Sequence, residues 1–113
     1  MKFFVRCPVP EDVARKQLDL AKAIRGNPEK GVHVERMLDA TEAMAHELFQ
    51  FFFMRPMETA RTGGMTKAAV SMGMRTGIGI IVKIAKKAYA GMGRDQLLLF
   101  ADYLDALVSS EEG

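Results

Sequence analysis

Residues 66–92 hold five basic residues (Lys67, Arg75, Lys83, Lys86 and Lys87), no acidic residue, and the tightest apolar run of the chain. That combination leaves few ways to fold. Set at about 100° per residue, Val70, Met74, Ile78, Ile81, Ile84, Ala85, Ala88 and Tyr89 gather on one broad face. Arg75, Lys83 and Lys86 fall opposite, with Lys87 at the margin. Lys67 falls on the apolar side, but in the first turn, where its long stem reaches water. The β-branched segment GIGIIVKI would also suit a strand, but the length of the wider pattern selects an amphipathic helix with a basic back. As the most apolar helix it is expected to be the most buried.

Glycine needs a reason here. Gly73, Gly77 and Gly79 each cost about 0.5–1 kcal/mol relative to alanine inside a helix. Ala69, Gly73 and Gly77 recur every fourth residue, a spacing that lets a second helix cross closely, within the chain or in a dimer. A kink near Gly77 would serve the same sequence. The same spacing marks transmembrane dimers, but Arg75 lies inside it and Lys83, Lys86 and Lys87 follow. The uncharged run over residues 76–82 is far below the ~20 residues of a span. No transmembrane segment is expected.

The rest of the chain reads as helices around this one. Its 113 residues make one domain, 49% hydrophobic and 27% charged, a balance of folded rather than disordered chains. A first helix over 10–25 opens on Pro10, Glu11 and Asp12 and buries Val13, Leu20, Ala21 and Ile24. Gly26, Asn27 and Pro28 stop it. A second helix over 32–54 places Val34, Met37, Leu38, Thr41, Ala45, Leu48, Phe49 and Phe52 on one face, and Arg55-Pro56 ends it. The basic helix spans 66–90 after a hinge-like segment at 57–65. Gly91, Met92 and Gly93 separate it from a last helix over 95–109 with Leu97, Phe100, Ala101, Tyr103, Leu104, Leu107 and Val108 on one face. The expected fold is an all-α bundle of four main helices. Pro8 and Pro10 keep residues 1–9 extended as an N-terminal arm.

Two places carry more apolar surface than one helix face can bury. Phe49, Phe51, Phe52, Phe53 and Met54 surround most of the second helix at its end, and Leu98 and Leu99 lie off the stripe of the last helix. A helix apolar all round is buried on several sides, which a chain this small achieves through a second copy or a partner. The competing cover is the arm, with Phe3 and Phe4. The expectation is a homodimer built around Phe51, Phe53 and neighbouring Met and Leu residues. Nine methionines and no tryptophan make such a surface adaptable.

Charge is unevenly distributed: residues 66–92 carry +5, residues 93–113 carry −4, and residues 1–65 carry +1. The simplest use of this asymmetry lays the acidic last helix beside the basic one. The other leaves Arg75, Lys83, Lys86 and Lys87 as an open face for nucleic acid or an anionic membrane. Nucleic acid is the less favoured partner. The helix offers little to read bases, and a recognition helix is largely exposed.

Chemistry finds little footing. Cys7 is the only cysteine, so it forms no internal disulfide, which fits a reducing cytoplasm. The apolar start, interrupted by Arg6, is too short for a secretory core. Asp39, Glu42 and His46 share a helical face, but no Glu-x-x-His repeat or HExxH motif accompanies them. The order TGGMTK is not a phosphate loop, which needs GxxxxGK[ST] after a strand. No metal, cofactor or catalytic residue is expected. The expected function is that of a small non-enzymatic interaction protein, a regulator or adaptor with an unidentified protein partner.

Overall fold

The computed structural model describes Phe3, residues 6–61 and residues 63–108. The expected cover by Phe4, the expected helix end at Ser109 and the tail at 109–113 lie outside the described residues. The fold is an all-α bundle of four main helices: α1 (Glu11–Gly26), α2 (Val34–Phe49), α4 (Gly64–Ala90) and α5 (Arg94–Leu107). A π-helical segment (Gln50–Met54) and a short α3 (Arg55–Thr59) prolong α2. Among the described residues there is no strand, and residues 6–10 of the arm are neither helix nor strand.

Local chemistry sets the ends. Pro10 accepts the first hydrogen bonds of α1 from Val13 and Ala14, and Glu11 and Asp12 face the positive end of its dipole. Gly31 turns the chain into α2 at φ +85, a left-handed value that favours glycine. His33, buried at the start of α2, places Nε2 2.7 Å from the Asn27 carbonyl and ties the two helix ends together. Gly93 N–H donates to Gln96 Oε1 at 3.0 Å, holding the first turn of α5.

The core is a three-helix affair. Leu20, Ala21 and Ile24 of α1 meet Met37 and Ala40 of α2 and Leu97, Ala101 and Leu104 of α5. Tyr89, Met92 and Phe100 pack against this cluster. Ile24, Met37 and Leu97 are fully enclosed, each contributing about 1.5–3 kcal/mol by burial. Gln17 is buried with them, its Nε2 donating to the Ala40 carbonyl at 2.8 Å.

Three sequence expectations are corrected. The first concerns α4. Of its residues only Met74 and Ile78 are buried, while Ile81 and Ile84 of the expected core face are exposed. The helix packs along α2 and reaches the core only at its end, through Tyr89. An apolar face reports what a helix could bury, not whether a neighbour arrives to cover it. The second concerns charge. The acidic α5 packs on α1, where Arg25 bonds Asp102 at 2.9 Å and Asp105 at 2.5 Å. The basic helix therefore does not neutralise it.

The third concerns Pro56, which does not end the second helix. Arg55 N–H donates to the Gln50 carbonyl five residues back. The wider π turn accommodates the proline ring, and the helix continues to Thr59. The turn out of α3 then passes through Arg61 at φ +55.

α2 and α4 are antiparallel. Phe49 meets Gly77, and eight residues earlier on α2 Thr41 Oγ1 lies 2.5 Å from the Tyr89 hydroxyl. The molecule is more extended than a compact chain of its length. Its radius of gyration is 16.0 Å, against about 13 Å for a compact chain of this length. Its accessible surface is 8211 Å², against about 6200 Å² for a folded monomer of this mass.

Candidate interaction surfaces

The π-helical segment is where the phenylalanines of the sequence reading come together. Phe53 stacks on Phe49 with ring centroids 5.3 Å apart, and Phe52 meets Phe51 edge-on at 5.1 Å. Arg55 lies 5.6 Å above the Phe51 ring. Phe52 is 47% exposed and Phe53 52% exposed, while Phe49, Phe51 and Met54 are half-buried. Phe3 of the arm is itself exposed. Leu98 is half-buried and Leu99 exposed on α5.

The small-residue ladder meets α2 at one of its positions. Gly77 lies against Phe49, with a Cβ built there 3.7 Å from the ring. Nothing stands within 4 Å of a Cβ at Gly73, and Ala69 is exposed. Beside the ladder Ile80 and Ile84 are exposed, Ile84 by 66%. Arg75, Lys83, Lys86 and Lys87 are exposed, and none takes part in an ion pair among the described residues.

α4 also has the length and composition of a membrane-crossing helix. An 18-residue window has a mean hydropathy of 1.4, and 11% of that window is buried. The same helix carries Arg75, Lys83, Lys86 and Lys87, and the uncharged run after Arg75 covers only residues 76–82.

Between α2 and α4 runs an open groove of about 930 Å³. Its α2 wall carries Asp39, Glu42, His46 and Glu47, and its α4 wall carries Arg75 and Lys83. Met74, Ile78, Val82 and Ala43 give it an apolar floor. The sequence marked Arg75 and Lys83 individually, but not the opposed walls, because pairing α2 with α4 needed the register. At the rim Asp39 binds Lys16 at 2.8 Å, and this hydrogen bond holds the Lys16 pKa above its ordinary value.

Among the described residues no group of three or more His, Cys, Asp and Glu side chains is placed to hold a metal. Burial pushes the Cys7 thiol up, against the pull of Arg55 and with a smaller push from Glu47. A thiol held protonated is a poor nucleophile. Compared with known proteins, the chain matches no family model, no curated protein and no solved structure.

Proposed function

We propose that this protein is a small non-enzymatic interaction module that works as a homodimer through its Met/Phe-rich apolar surface. The observation that carries the reading is the exposure of Phe52 and Phe53 on a helix that is folded and anchored. The Phe53–Phe49 stack continues onto α4 at Gly77. Apolar surface of this kind on a folded chain marks a contact site. Light scattering over concentration tests it. Twice the 12.5 kDa chain mass is expected, with Phe53→Asp weakening association while helicity stays unchanged. A concentration-independent single-chain mass overturns the homodimer.

A second reading is favoured by the exposed, apolar and basic α4: adsorption to an anionic surface, either a membrane or nucleic acid. Co-sedimentation with phosphatidylserine-containing vesicles, and binding to a DNA duplex at two salt concentrations, test it. Binding that collapses with salt and with Lys83→Glu/Lys87→Glu supports this reading over the first.

A further inference from the structure

We infer that the α2/α4 groove is the seat of the second copy, two grooves closing face to face about a two-fold axis parallel to the helices. The inference rests on the homodimer of the preceding reading and names where that contact is made. Three features of the groove converge on this occupant.

The first is charge. One wall is acidic and the other basic, and among the described residues no ion pair crosses between them. An isologous interface sets each residue against a symmetry-related one, so a surface pairs with itself only when it is self-complementary. Rotation about an axis along the helices lays the acidic wall of each copy over the basic wall of the other. Rotation about the perpendicular in-plane axis would lay acid on acid.

The second is register. The pairings of Phe49 with Gly77 and Thr41 with Tyr89 bracket residues 41–49 of α2 and 77–89 of α4. Lys83 lies midway between Gly77 and Tyr89, and Ala45 lies midway between Thr41 and Phe49. Lys83 of one copy is thus level with the stretch between Glu42 and Glu47 of the other. α2 and α4 are antiparallel, so every neighbour in the resulting α2–α4–α2–α4 arrangement is antiparallel as well, the up-down packing of four-helix bundles.

The third is area. The chain exposes 8211 Å², about 2000 Å² more than a compact monomer of its mass. A standard interface removes about 800 Å² per partner, so the contact takes in surface beyond the groove itself. The groove also runs into the phenylalanine surface: Gln50 lines it and is the first residue of the π-helical segment.

Paired charge reversals test this in the full chain by sedimentation velocity, with circular dichroism as the folding control. Glu42→Lys/Glu47→Lys makes both walls basic, and Arg75→Glu/Lys83→Glu makes both acidic. Each variant alone is expected to self-associate at least about tenfold more weakly than the native chain. An equimolar mixture is expected to recover a one-to-one dimer. Either variant dimerising like the native chain overturns the groove seat, as does a mixture that stays monomeric. Should Phe53→Asp abolish the dimer while the reversals leave it intact, the groove seat falls and the Met/Phe reading stands. Should the reversals behave as expected while Phe53→Asp changes nothing, the groove seat stands and the phenylalanine contribution falls. A monomeric native chain removes both.

Discussion

The ring of Phe49 rests on Gly77, at a distance where an added methyl group would make an ordinary van der Waals contact, 3.7 Å. Gly77→Ala is therefore expected to raise stability by about 0.5–1 kcal/mol through helix propensity alone. Gly73→Ala is expected to do the same, since a Cβ there meets nothing within 4 Å. Urea unfolding at a concentration where the chain is monomeric measures both. A loss at Gly73 under conditions of self-association, and only there, would mark it as part of an intermolecular crossing.

Gln17 is the polar residue that the three-helix core depends on. Its amide bonds the Ala40 carbonyl at 2.8 Å in a buried setting. Gln17→Ala removes the bond and opens space beside Leu20 and Ala21, at an expected cost of about 1–3 kcal/mol. Gln17→Leu restores the volume without the donor and is expected to lose less. Denaturant melts of the two variants separate packing from hydrogen bonding.

The contact between the Thr41 and Tyr89 hydroxyls fastens the end of α4 to α2. Thr41→Val and Tyr89→Phe are each expected to cost about 0.5–1.5 kcal/mol. Because they remove the same bond, the double variant is expected to cost little more than either single one. Strict additivity in the cycle would show that the two hydroxyls act independently.

Cys7 gives the pH dependence. Its folded pKa lies above the ordinary value of 9.0, chiefly through burial. The thiol form is thus favoured by the fold. Its contribution to stability is full below the unfolded pKa and is lost as pH rises through the folded one. Iodoacetamide labelling of the native chain is expected to be slower than that of the urea-unfolded chain near neutrality, with its midpoint at higher pH. Equal rates would remove the shift.

Much of this fold was legible in the sequence. Val13, Leu20, Ala21 and Ile24 recur with helical period and do share a buried face, because one period dominates a short helix with clear stops. Proline misled at position 56, since the sequence does not announce a π turn that makes room for the ring. Gln17 and Ala40 went unnoticed because their burial depends on which helices meet, not on hydropathy. The position of α4 was misjudged for the same reason: α1 and α5 pair through Arg25 with Asp102 and Asp105 and fill the place it was expected to occupy. Phe51 and Phe53 were legible as surplus apolar surface, whereas the opposed walls of the groove needed α2 and α4 to be set side by side.

The one-sided attachment of α4 divides the molecule's resistance to opening. Near Tyr89 the helix shares the core, but toward its start Met65 is 90% exposed and Met72 70% exposed, and no side chain there is enclosed. Amide protons along this single helix should therefore exchange fastest over the first turns and slowest around Met74 and Ile78, its two buried residues. Such a helix can lift at one end without unfolding α1, α2 or α5. Binding of any partner along α4 would be read out as slowed exchange in its first half, with the three-helix core unchanged.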